Sequence, residues 1–194
     1  YGLHSGDYRA ENVRFDENGF PSFTITKNGD AVGDVSLTVP GLHNVLNALG
    51  AYVVAETFGI PFAAYAEAMH AFSNTKRRFE YYGERNGVRY FHDYGHHPNE
   101  IRATLDAAFR VPHEHLYCVF QCNSYTRAKT LFCENVTCFA DADAVLVPDI
   151  YPGREKDTGL VHARDMVAGI NASGGNAVYL GTFENIRAWL DEHG

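Results

Sequence analysis

No stretch of the 194 residues approaches the roughly 20 consecutive apolar residues of a membrane-spanning helix, so a membrane partner is not expected. No secretory signal pattern stands at the start. The four cysteines, Cys118, Cys122, Cys133 and Cys138, form neither a CxxC pair nor a paired zinc knuckle. Reduced, mostly buried thiols in a cytoplasmic protein are the expectation. Three catalytic signatures are missing from these residues: the GxxxxGK[ST] phosphate loop, the HExxH zinc helix and the G-x-S-x-G nucleophile elbow. Positive charge is scarce. Sixteen Lys and Arg face 24 Asp and Glu, for a formal net charge of -8, which argues against general affinity for nucleic acid or anionic membrane. A local basic pocket for a phosphorylated ligand remains open. Neither an internal repeat nor a low-complexity tract is evident.

What is present reads as a globular α/β chain. Hydrophobic residues make up 45% and charged residues 21%, enough to build a real core. Residues 8–39 alternate polar and apolar, broken by "DENG" and "NGD", and predict three antiparallel strands joined by tight turns. The period then changes. Val45, Leu49, Tyr52 and Val53 fall on one helical stripe, with Pro40 and Gly41 ahead of it and Gly59 as its stop. Pro61 opens a second helix, and the polar, basic 73–80 reads as a linker. From residue 88 onward strands alternate with amphipathic helices: "VRYFHDY", "HLYCVFQ", "DAVLVPDI" and "AVYLG" are strands, and the segments between them helices. That alternation predicts a Rossmann-like, mainly parallel sheet over about 83–194. The expected division is 1–80, a small α+β piece, and 81–194, the Rossmann-like domain. The polar segments "HDYGHH", "QCNSYTR" and "DIYPGREKDTG" follow strands, so three loops are expected to converge on one sheet edge, where open α/β sheets bind ligands.

Each polar constellation has a plainer alternative. His96 and His97 are adjacent and point different ways on any regular element. With His92 and Asp93 they leave open a zinc hydrolase, a helix cap or a ligand contact. Asn44 and Asn47 lie three apart on one helix face, where amides can read a base edge or close a loop. Lys76, Arg77 and Arg78 can clamp a phosphate or lie solvated.

In order and spacing, "GLHNVLNALGA", "RRFE", "HDYGHHPNEI", "FQCNSYTR" and "DIYPGREKDTG" resemble the Mur ligases of peptidoglycan synthesis. Among these they resemble the branch that joins L-alanine to UDP-N-acetylmuramate. Tyr94 and Gly95 favour that branch over the sister ligase that recycles a muramyl tripeptide, which usually carries "DFAHHP". The resemblance covers the chain from about Gly41 onward. It implies that 1–80 is the end of a central ATPase domain and 81–194 most of a C-terminal domain. The opening "YGLHSGDYRAENVRF" is then expected to begin within a domain, and the chain to stop before the family's closing segment. The implied chemistry uses ATP and Mg2+ to form an acyl phosphate that the alanine amine attacks. The resemblance implies Asn44 and Asn47 at the adenine, Arg78 and Asp93 as catalytic and nucleotide-binding residues, and Tyr94, His96 and Arg127 around the amino acid. No residue is assigned to a metal, and no nucleic acid or membrane partner is implied. Three departures stand out. His92-Asp93 keeps one acid of the usual pair, Gln121-Cys122-Asn123 replaces the common "QPH", and Ser124 stands where arginine or threonine is usual. A non-catalytic ligand-binding module of the same fold is the alternative from another class.

Overall fold

A computed structural model describes every residue except Asn74, so the part of the expected 73–80 linker at Asn74 lies outside the described residues. The chain divides into two compact units, residues 1–76 with 106–112, and residues 77–105 with 113–194.

In the first unit, β1 (Tyr8–Phe15), β2 (Pro21–Lys27) and β3 (Asp30–Ser36) form an antiparallel sheet in that order. The turn between β2 and β3 is Asn28-Gly29, with φ of 53° and 95°. Two successive left-handed residues make the hairpin turn whose twist matches the strands, and asparagine and glycine tolerate it best. The "DENG" turn closes differently: Asp16 Oδ1 accepts from the Asn18 and Phe20 amides at 2.9 and 2.8 Å. One sheet face, with Ala10, Phe23, Ile25 and Val35, packs on α1 (Leu42–Thr57) and α2 (Phe62–Ala71). The α1 stripe buries Val45, Leu49 and Tyr52 as expected, joined by Ala48 and Ala55. Val53 lies at its half-exposed border. Gly59, at φ 72°, ends α1 in a left-handed cap. Its amide bonds Glu56 O, and the Ile60 amide bonds Ala55 O, both at 2.9 Å.

In the second unit, β4 (Glu80–Arg85) and β5 (Val88–His92) form an antiparallel hairpin around Asn86-Gly87. This corrects the sequence reading, which put "VRYFHDY" into the parallel series. The reason is visible in β5 itself, where Arg89, Tyr90 and Phe91 are exposed. A strand inside a parallel sheet is covered on both faces. The stretch read as linker is also held: the Arg77 amide bonds Glu80 Oε2 at 2.7 Å, and Arg77 O accepts from the Tyr94 amide at 2.8 Å. Then follow α3 (Pro98–Phe109), β6 (Tyr117–Val119), α4 (Tyr125–Thr130), α5 (Phe132–Asn135), β7 (Ala144–Pro148), α6 (Ala163–Ala172), β8 (Ala177–Gly181) and α7 (Phe183–His193). Strands β6, β7 and β8 are parallel neighbours in that order.

Period-two alternation divides these strands between two cores. Cys118, Val145, Val147, Ala177 and Tyr179 face Ile101 and Leu105 of α3, Ala128 of α4 and Met166 and Ile170 of α6. Tyr117, Ala144, Leu146, Val178 and Leu180 face Ile186, Trp189 and Leu190 of α7. The result is three layers, helix, parallel sheet and helix, within a mixed α/β fold. The helix expected over "TRAKTLFCENVTCF" is broken at Leu131 into α4 and α5. Cys122 and Cys138 are buried, Cys118 is half-buried and Cys133 exposed, all as free thiols. Burial pushes the Cys118 and Cys122 thiols up to about 12, which leaves them inert.

Candidate functional site

The loop after β5 is built around Asp93. One carboxylate oxygen accepts from the Phe79 amide at 2.9 Å and the other from the Gly95 amide at 2.7 Å. A Cβ on Gly95 would lie 2.8 Å from that second oxygen, so a larger residue here would have to move the Asp93 carboxylate. Tyr94 stands half-exposed, with the Arg77 guanidinium 5.5 Å over its ring and His96 edge-on at 4.7 Å.

The two histidines part company here. His97 closes α3: its Nδ1 accepts from the Asn99 amide at 3.2 Å, and Glu100 Oε2 accepts from the His97 amide at 3.1 Å. His96 gives only its amide to Glu100, at 3.0 Å, and its ring faces the next loop, with Nε2 3.5 Å from Asn123 Nδ2. Burial, then the nearby Arg127 guanidinium, lower the His96 pKa, against the pull of Glu100 and Asp93. Its ring therefore leans to the neutral form. Two amide donors, then Arg78, hold the Glu100 carboxyl below the usual range; the Arg78 guanidinium lies 3.8 Å away.

The loop after β6 carries Arg127. Ser124, at φ 67° and ψ 147°, caps α4 by accepting from the Arg127 amide at 3.3 Å. That backbone conformation is one that residues with a Cβ rarely adopt, and such strain persists only where its surroundings hold it. The loop after β7 does the holding. The Ser124 amide bonds Tyr151 O at 2.8 Å, the Tyr151 amide bonds Cys122 O at 2.9 Å, and Gln121 Nε2 bonds Asp149 O at 3.2 Å. Glu155 Oε2 accepts from the Thr126 amide at 2.9 Å. The exposed Arg127 guanidinium has no hydrogen-bond or ion-pair partner among the described residues.

The structure thus brings Asp93, Tyr94, His96 and Arg127 into one unit on neighbouring loops, with Arg78 reaching them through Glu100. Asn44 and Asn47 belong to the first unit, on the first turns of α1. There Asn44 Nδ2 donates to Pro40 O at 2.8 Å, and Asn47 Nδ2 donates to Asn44 Oδ1 at 3.3 Å. Asn44 is thus committed to its loop, while Asn47 keeps its own carbonyl open. The zinc alternative finds no support in the donor set, since no three His, Cys, Asp or Glu side chains among the described residues gather as metal ligands would. The His92 ring instead meets Tyr82 edge-on at 5.4 Å.

Sequence reasoning missed Glu100 and Glu155. Glu100 had a readable signal, an acid three residues after a candidate cap. Glu155 had none, because its partner lies 29 residues away in sequence. Chemically the second-unit cluster offers an open guanidinium, a neutral-leaning imidazole and an exposed phenol. That set can grip a carboxylate without repelling a neighbouring ammonium.

Residues 77–192 match the family described as "Mur ligase, glutamate ligase domain". The chain is 42% identical over 186 residues to a UDP-N-acetylmuramate–L-alanine ligase of Clostridium acetobutylicum, covering 96% of this chain and 41% of that protein. A ligase of the same name from Clostridium botulinum is 44% identical over 174 residues, covering 90% of this chain and 38% of that one. Among solved structures, the UDP-N-acetylmuramate–alanine ligase of Thermotoga maritima superposes with a TM-score of 0.78 at 24% identity, over 96% of this chain and 40% of that one. A murein peptide ligase of Psychrobacter arcticus superposes with a TM-score of 0.62 at 27% identity, over 98% and 39%. The chain therefore spans about two fifths of the length of the relatives it matches.

Proposed function

The chain belongs to the Mur ligase family, and on that premise we propose that it forms part of an ATP-dependent ligase joining L-alanine to UDP-N-acetylmuramate in bacterial peptidoglycan synthesis. Residues 1–80 then close a central ATPase domain and 81–194 make up most of the C-terminal domain. The observation that carries the reading is the open Arg127 guanidinium beside a neutral-leaning His96 in the part that matches the family. No helix of the described residues is long and apolar enough to cross a membrane; the reading itself places the ligase in the bacterial cytoplasm with its nucleotide-linked substrates.

Arg127 holds the alanine carboxylate by charge-assisted hydrogen bonds. Burial, then Arg127, lower the His96 pKa, which weakens its tendency to become a second cation that would repel the alanine ammonium. Tyr94 walls the site with its half-exposed ring. ATP supplies the phosphoryl group that turns the muramate carboxylate into an acyl phosphate. For ATP the residues fit: Arg78 presents a half-exposed guanidinium from a turn pinned on both sides, and Asn47 keeps an open amide carbonyl. Asp93 fixes the loop near the ribose through two backbone amides. No step derived for this part of the ligase is assigned to Mg2+. Catalysis in this part rests on positioning and charge.

The test is a ligation assay on the longer enzyme that contains this chain. Phosphate release should require ATP, UDP-N-acetylmuramate and L-alanine together. Turnover with the free tripeptide in place of alanine would shift the assignment to the recycling ligase. Ligand binding with no turnover on any amine would make the fold a binding module.

A further inference from the structure

We propose that Glu155 is a positioning residue: from the loop after β7 it fixes the first turn of α4 and so aims Arg127 at His96. The role in catalysis rests on the reading of Arg127 given above, but the positioning itself does not.

The first turn of α4 cannot hold itself. The helix has six residues, too few to be stable alone. Its cap, Ser124, sits in a strained conformation, and the bond its Oγ accepts from the Arg127 amide is long, at 3.3 Å. On the inner side Ala128 is buried at 1% exposure and anchors the far end of the turn. The near end has Glu155. Its carboxylate accepts from the Thr126 amide at 2.9 Å, directly before Arg127. The Thr126 hydroxyl, Ser124 and the Tyr125 amide act on it as well, and after the Thr126 amide they lower the Glu155 pKa against the cost of burial. Burial, then the neighbouring Asp157 carboxylate, raise the Tyr125 pKa. Arg127 thus leaves a turn tied at Thr126 and buried at Ala128. Its charge then bears on His96, which it pushes toward the neutral form. The other groups acting on His96 are Glu100 and Asp93, both of which push the other way, and Asn123 and Tyr94, which touch its ring.

The sign of the effect makes the idea testable. Deleting a carboxylate acts directly on a histidine by lowering its pKa. Releasing Arg127 acts in the opposite direction. The experiment follows the His96 titration by NMR in the 194-residue chain, with His96→Gln used to assign the signal. Arg127→Ala sets the reference rise. Glu155→Ala should also raise the His96 midpoint, and Glu155→Gln, which still offers an acceptor oxygen, should raise it much less. The double variant should go no further than Arg127→Ala. If Glu155→Ala does not fold, Glu155→Asp, which is too short to reach the Thr126 amide, takes its place. An unchanged or lowered midpoint in these variants overturns the proposal and leaves the ligase reading intact. A raised midpoint supports it. In the longer enzyme Glu155→Ala should then raise the alanine KM about tenfold, the loss of one charge-assisted contact, with the ATP KM unmoved. A raised midpoint with an unmoved alanine KM keeps Glu155 as the residue that aims Arg127 and removes Arg127 from the amino-acid site.

Discussion

Asp93 illustrates how one side chain can serve two purposes. Both of its oxygens are engaged by backbone amides, so the site cannot be probed at this position without disturbing the loop. Asp93→Ala should cost about 2 kcal/mol of stability through its lost charge-assisted bonds, besides any effect on ATP. Asp93→Asn keeps one of the two acceptor oxygens, so it removes the charge with less disturbance of the loop than Asp93→Ala. If Asn restores the melting temperature of the chain but not the ATP KM of the longer enzyme, Asp93 acts on the nucleotide directly. Arg127 is the cleaner probe, because no described residue bonds its guanidinium. Arg127→Ala should raise the alanine KM roughly ten- to a hundredfold and leave the ATP KM and the melting temperature nearly unchanged. A fall in ATP use alone would place the arginine at the phosphates. Replacing Ser124 by arginine is a poor way to add charge, since it forfeits the Oγ cap while keeping φ near 67°.

Among the elements, α3 shows where pH enters. Glu100 has its carboxyl held low by the His96 and His97 amides and by Arg78. A depressed carboxylate contributes stability that is present above its unfolded pKa and is lost as pH falls through its folded one. The difference in melting temperature between the chain and its Glu100→Ala variant should therefore be full at neutral pH and shrink on acidification below the usual glutamate range. With its side chain 45% exposed, the effect is modest. A difference that grew on acidification would contradict the assignment. The elements also show what could be read in advance. The α1 stripe, the Asn-Gly turn of the first unit and the apolar β7 follow from periodicity and turn chemistry, which are local. The hairpin of β4 and β5 was missed although Asn86-Gly87 marks it, because the strand–helix rhythm downstream outweighed one turn. The family assignment came from motif order, while the Glu155 contact came from tertiary structure alone.

For the whole molecule, the 194 residues contain no GxxxxGK[ST] phosphate loop and so lack the lysine that such a loop supplies. The isolated chain should therefore not hydrolyse ATP, and turnover approaching the enzyme median of about 10 per second would refute the division of labour proposed here. One architectural detail reaches beyond folding and catalysis. All three hairpin turns carry an asparagine followed by glycine: at Asn18-Gly19 the glycine is buried and its amide bonds Asp16 O at 3.0 Å, whereas at Asn28-Gly29 and Asn86-Gly87 both residues are exposed. The glycine that permits the left-handed turn also leaves its own amide nitrogen unshielded from the asparagine side chain. Such pairs cyclise to a succinimide and open to aspartate or isoaspartate. Each event adds one negative charge to a chain already at -8, and the isoaspartate product inserts an extra backbone atom where the hairpin tolerates none. Stored protein should accumulate acidic species that peptide mapping places at Asn28 and Asn86 ahead of Asn18, so that the two open turns also record the age of the molecule.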